Sequence, residues 1–174
     1  YQPPTDKPAL KQKLGYRRKI SIGMGSTLKP SRNHKLGLRA FERLQQKRSD
    51  IELIIIGDGA QELALRDEAA RIGIEEHLLF TGYKKGAAYI EALQGLDVAW
   101  ILGLGNDWSG RAAAQARQCA VKVIAVNLGA LPSFATLCVK LDAADIAQKT
   151  QRLLAQDTPS STSATPHTTP DTTL

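Results

Sequence analysis

Short apolar runs recur along the chain, and most are closed by glycine or by small polar residues. The clearest is IELIIIG at 51–57, nearly continuous and rich in branched side chains, the pattern of a parallel strand covered on both faces. Runs at 19–25, 77–82, 98–102, 121–126 and 136–141 predict five further strands. Between them the apolar positions change to helical spacing. Leu36, Ala40, Phe41 and Leu44 share one face of a helix predicted over 34–47, with Asn33 as its N-cap. Further helices are expected at 61–71, 86–93, 110–118 and 144–155, and Gly73 closes the 61–71 helix as a C′ glycine.

Strands alternating with helices of this length make βαβ units. Right-handed crossovers then place helices on both sides of the sheet. The expected fold is α/β, a doubly wound, Rossmann-like parallel sheet of about six strands filling residues 19–155. Residues 156–174 are almost all Ser, Thr and Pro, which cannot bury a core, and are expected to form a disordered tail. Residues 1–18, proline- and lysine-rich with a short amphipathic piece at 9–14, read as a basic linker arriving from a missing N-terminal domain.

Charge changes this picture little. The net charge of +6 over 174 residues is concentrated in the head, where Lys7, Lys11, Lys13, Arg17, Arg18 and Lys19 face Asp6 alone. The rest of the chain is close to balanced, and no nucleic-acid-binding motif accompanies it, so no nucleic-acid partner is expected. The head is expected to be solvated, and its charge suits peripheral contact with a membrane surface. No apolar run reaches the length of a membrane span, and the first residues lack the apolar stretch of a secretory signal. Cys119 and Cys138 have no metal-ligand spacing and read as buried thiols, which points to a reducing cytoplasm; no metal and no bound cofactor are expected.

The chemistry concentrates at 103–120, GLGNDWSGRAAAQARQCA. Here a strand stops at Gly103, Gly105, Asn106 and Asp107 and hands over to an alanine-rich helix. The unpaired N–H groups and the positive dipole of a helix start attract an anion. Ser109 adds a hydroxyl and Arg111 a permanent cation, so the expected ligand there is a diphosphate. In a doubly wound sheet the other strand ends face the same ligand, which brings in Gly25, Ser26, Lys29 and Arg32, Gly59, and Gly82 with Tyr83. Gly23 and Gly25 make an incomplete dinucleotide fingerprint, with Leu28 in the place of its third glycine and Asp58 as the candidate ribose acid. An NAD-type domain therefore stays open as an alternative. P-loop, nucleophile-elbow and zinc-protease motifs are all missing, and His34, His77 and His167 are scattered; His34 and His77 read as structural or solvated.

The order of motifs carries a resemblance. Residues 22–35, IGMGSTLKPSRNHK, then LRAFERL at 38–44, LIIIGDG at 53–59, LLFTG at 78–82, DVAW at 97–100, the stretch 107–124, and NLGALP at 127–132 follow one another as in a known domain. Over about residues 19–134 the chain resembles the C-terminal, donor-binding domain of GT-B glycosyltransferases of the retaining, group-1 (family-four) type. LKQKLG at 10–15 is similar to the linker arriving from the N-terminal domain.

The resemblance implies binding of a nucleotide-diphosphate sugar, with Lys29 and Arg32 on the diphosphate and the backbone around Gly82 and Tyr83 on the base. Asp107, also the candidate catalytic residue, faces the sugar, and Gln115 takes the ribose hydroxyls; Trp108, Ser109, Gly110 and Arg111 complete the site. Five positions depart from the family pattern. Thr27 stands where an arginine is common, Trp108 where a glycine is usual, Asp107 (its charge kept, one methylene shorter) and Gln115 at the two acid positions of the family, neither a glutamate, and Ser133 where another glutamate is frequent. The neutral amide of Gln115 gives up the charge assistance that roughly doubles such a hydrogen bond. These departures keep a second alternative open, a non-catalytic copy of the same fold. With the acceptor site and the family's usual catalytic histidine belonging to the N-terminal domain, this piece is expected to bind donor weakly and transfer little alone.

Overall fold

The computed structural model describes residues 1–104 and 107–157; the side chain of Asp107 also lies outside the described set, as do the 158–174 part of the expected tail and the turn residues Gly105 and Asn106. Six strands form one parallel sheet: β1 (Ile20–Gly25), β2 (Ile51–Ile56), β3 (Leu78–Gly82), β4 (Val98–Ile101), β5 (Lys122–Val126) and β6 (Leu137–Val139). Helix α1 (Lys7–Leu14) precedes them, and α2 (His34–Gln45), α3 (Glu62–Arg71), α4 (Gly86–Gln94), α5 (Asp107–Gln118) and α6 (Ala143–Ala155) alternate with them. Every residue of β2 is buried, as its unbroken apolar run requires. No described helix is long and apolar enough to cross a membrane.

The strand order is β3-β2-β1-β4-β5-β6. Each βαβ step to β3 moves one way across the sheet, and the chain then returns to place β4 on the other side of β1. The reversal leaves a crevice above β1 and β4, whose register pairs Ile22 with Val98 and Met24 with Trp100. Close approach is built in beneath it. A Cβ added at Gly23 would meet the Leu96 side chain at 2.2 Å, and one at Gly37 would meet Met24 at 2.2 Å. Gly23 therefore lies inside β1 and serves packing; the G-x-G pair is strand, not a phosphate-binding turn.

Two local readings are corrected. Asn33 does not cap α2 with its side chain: it sits at φ 58° and spends its amide on the Leu102 carbonyl, 2.7 Å away. The head is not a freely solvated segment either. Its 7–14 part is helix α1, capped by Asp6 and packed on α4, with Lys13 on Glu91 and with both Lys7 and Lys11 on Asp97. The buried Tyr16 that follows donates its hydroxyl to the Ala92 carbonyl.

Helix ends are closed alike at three places. After α1 and α3 the chain turns on Gly15 (φ 76°) and Gly73 (φ 74°), and each turn returns two N–H groups to the last helical carbonyls. The same double bond follows α5, from Ala120 to the Arg117 carbonyl and from Val121 to that of Ala116, but here an alanine holds φ 59°. A left-handed non-glycine residue costs ~1–2 kcal/mol, partly offset by the flexibility that glycine adds to the unfolded chain. Ala120 is exposed, so Ala120→Gly removes no packing. It is expected to raise stability by about 0.5–1 kcal/mol, measured as the shift of a urea unfolding midpoint at unchanged slope.

Candidate functional site

The crevice opens into a cleft of about 740 Å³, within the range of small-molecule sites. One wall is the loop after β1. Ser26 begins it at φ 87°, donating its N–H to the Ile56 carbonyl, and Leu28 anchors it in the core. Thr27 and Lys29 remain exposed on this loop, and Arg32 follows in a short 3-10 turn, Pro30–Arg32. The loop rests on the one after β2. A Cβ on Gly57 would stand 2.2 Å from the Ser26 carbonyl oxygen, and one on Gly59 2.7 Å from the Leu28 backbone. Both glycines are thus demanded by the packing of loop on loop.

The facing wall is the start of α5. Ser109 is buried in the first turn, and its Oγ accepts from Arg32 Nη1 at 2.9 Å. Leu104 N–H donates to the Ser31 carbonyl, and the Arg32 side chain runs against Gly103. Arg32 therefore ties the β1 loop to the N-terminal turn of α5 across the switch point. Farther out, Arg111 lies over the Trp108 ring, 4.8 Å from guanidinium carbon to ring centre. Gln115 lines the cleft one turn deeper. Tyr83, Lys84, Lys85 and Tyr89 close the end nearest β3, with Tyr1 beside Tyr89. Burial, helped by Tyr1, pushes the Tyr89 phenol up to about 12, so it stays a neutral hydrogen-bonding group.

His34 lies between Arg32 and the Gly25 backbone and is 1% exposed. Burial first, then the Arg32 charge, pushes its pKa down to about 4 against a small opposing pull from Gly25. It is neutral at physiological pH.

A family model described as "Glycosyl transferases group 1" matches residues 6–161. The chain belongs to the group 1 glycosyltransferases. Comparison with curated protein sequences returns no match. Among solved structures, this glycosyltransferase domain is similar to the C-terminal domain of the group 1 protein LpcC from Francisella tularensis, with 19% identity and a TM-score of 0.78, covering 89% of this chain and 85% of that one. It is similar also to HepE of Anabaena, solved with UDP (18% identity, TM-score 0.73, 89% of this chain and 44% of that one). TarM of S. aureus, in a structure that contains UDP, gives 16% identity and a TM-score of 0.73 over 90% of this chain and 31% of that one. The chain thus spans most of an isolated C-terminal domain and less than half of the longer relatives. At these identities the likeness is one of fold, and it places the C-terminal GT-B architecture on the six-stranded sheet.

In the glycosyltransferase domain the cleft brings together Gly25, Ser26, Lys29, Arg32, Tyr83, Trp108, Ser109, Arg111 and Gln115. Three expected residues are not at its wall. Gly59 is used against Leu28; Gly82 ends β3 at φ 72° and bridges to Gly57; and Gly110 points a would-be Cβ into open space. Asp107 opens α5, its side chain outside the described residues. Ser133, in the 3-10 turn Leu131–Ser133, also stands away from the cleft wall. Lys85, Tyr89 and Tyr1 were not expected. Tyr89 has a sequence signal, one helical turn into the helix after a strand end; Tyr1 has none, because its place depends on how α1 docks.

Proposed function

We propose that the cleft binds the diphosphate of a nucleotide sugar, and that the complete protein transfers the sugar, with retention at the anomeric carbon, to an acceptor held by a further domain. The observation that carries this reading is the Arg32–Ser109 contact, which sets a cation and the first turn of α5 against each other at the switch point. An anion seated there meets Lys29, Arg32 and the N–H groups of the helix start, with Arg111 farther out on the same helix. The same groups stabilise negative charge as it builds on the departing diphosphate, the main electrostatic demand of glycosyl transfer. The base would lie toward Tyr83, the ribose toward Gln115, and the sugar toward Asp107 and Trp108. No resident cofactor enters this scheme, since the nucleotide sugar is the substrate.

The test is calorimetric titration of the chain with UDP, GDP, ADP and NADH. One nucleoside diphosphate is expected to bind, and a Lys29→Ala, Arg32→Ala double variant to weaken it about thirtyfold, or ~2 kcal/mol. Tight NADH binding would overturn the reading in favour of a dinucleotide domain. The neutral Gln115 favours a non-catalytic copy as the second reading. A Gln115→Glu variant that binds the nucleotide no better supports that copy; one that binds several-fold tighter supports the catalytic ancestry of the site.

A further inference from the structure

Among its described lining residues the cleft carries more positive charge than a nucleoside diphosphate ester neutralises. Lys29, Arg32, Lys84, Lys85 and Arg111 line it, and Asp58 is the one carboxylate among its described lining residues. Lys29 and Arg32, both on the β1 wall, match the paired negative charges of a diphosphate ester. Arg111 stands on the facing wall, on the helix that also carries Trp108. Among the described residues it has no carboxylate partner, and the Trp108 ring holds it.

That ring is itself unusual. Trp108 lines the cleft yet is 66% exposed, a large apolar face left in water at the entrance. An exposed aromatic face suits the apolar face of a pyranose ring. An arginine held over an aromatic ring still has N–H groups to offer, and its planar fork matches a carboxylate two bonds at a time. Together the pair offers one surface for stacking and one for an anion, side by side.

We propose that the sugar carried by the donor is itself anionic, a hexuronate or a similarly carboxylated sugar, read by the Trp108–Arg111 pair. The inference rests on the donor-cleft reading above and adds the substrate class to it. Trp108 supports the ring and fixes the direction of Arg111, and Arg111 takes the carboxylate. The excess charge of the cleft raises the on-rate for a donor with an additional negative charge, and salt weakens that preference.

The experiment compares donors that share a base and differ in sugar charge: UDP-glucose with UDP-glucuronic acid, and GDP-mannose with GDP-mannuronic acid, beside UDP, GDP and ADP alone. Affinity is read by calorimetry and by indole emission, both tryptophans, Trp100 and Trp108, lining the cleft. The uronate donor of the preferred base is expected to bind at least tenfold tighter than its neutral counterpart, and Arg111→Gln to abolish that ratio, its loss for the uronate donor exceeding its loss for the bare nucleoside diphosphate by about tenfold. Equal affinity for the two sugars, with UDP or GDP bound normally, overturns the anionic-sugar inference and leaves the donor cleft standing. Failure of UDP, GDP and ADP alike overturns the donor cleft and the inference with it.

Discussion

Gly57→Ala is expected to be the most damaging added methyl group among the described glycines. It is expected to lower stability by about 4 kcal/mol and to remove the proposed nucleotide binding together with it. Gly57 holds φ 151°, and its added Cβ would sit 2.2 Å from the Ser26 carbonyl oxygen, a backbone atom that cannot swing aside as a side chain does. Backbone strain of ~1–2 kcal/mol and overpacking of ~1–3 kcal/mol therefore add at one site. The relief available is to lift the β1 loop off the β2 loop, and that displaces Ser26, Lys29 and Arg32 from the α5 start. For a domain of this size the melting temperature should fall by roughly 8–15 °C. Binding serves as the second readout. A variant that melts early yet still binds its nucleoside diphosphate with full affinity would show that the loop contact matters to folding alone.

Asp97→Ala comes next, with an expected loss of about 2–3 kcal/mol. Asp97 opens the turn into β4 and accepts three groups: the Ser21 N–H at 2.8 Å, Lys7 at 2.9 Å and Lys11 at 2.5 Å. Its side chain is 28% exposed, so the ion pairs are partly screened, and most of the loss comes from the buried Ser21 N–H and the undocking of α1. Burial, the largest single influence, pushes this carboxyl up; Lys11, the Ser21 N–H and Lys7 together outweigh it and hold it below the usual carboxylate range. A carboxyl depressed in the folded state stabilises above its unfolded pKa, and the contribution disappears as pH falls through the folded one. The gap in stability between the natural chain and Asp97→Ala should therefore be full at pH 7 and shrink below about pH 4. Denaturant midpoints across pH 3–7 would measure it, and a gap that stayed constant would exclude the carboxylate as its source.

Asp97 also shows where sequence reading stopped. A lysine-rich head looks solvated because composition contains no information on partners distant in the chain; the partner of Lys11 lies 86 residues away. By contrast the alternation of 51–57, 77–82 and 98–102 with helical spacing led directly to the sheet, since a strand buried on both faces and an amphipathic helix leave separate periodicities. The site was legible where chemistry and chain position coincide. Ser109 and Arg111 follow a strand end into a helix start, and Lys29 and Arg32 follow another. It was not legible where a glycine serves packing. Gly25 lines the cleft and Gly59 does not, and only the location of Leu28 tells them apart. Asn33 had the right residue type for a cap, but the Leu102 carbonyl claimed its amide first.

That claim belongs to a set of cross-links between two loops far apart in the chain: Asn33 to Leu102, Leu104 to Ser31, and Arg32 to Ser109. The β1 loop and the entrance to α5 are consequently one module in all but covalent connection. Exchanging either loop alone for that of a relative would leave amides, carbonyls and a buried hydroxyl with strangers. Swapping both together would carry the bonds along. For anyone recombining such domains to change what they accept, the unit of inheritance here is the pair, and a crossover placed between residues 33 and 102 would split it.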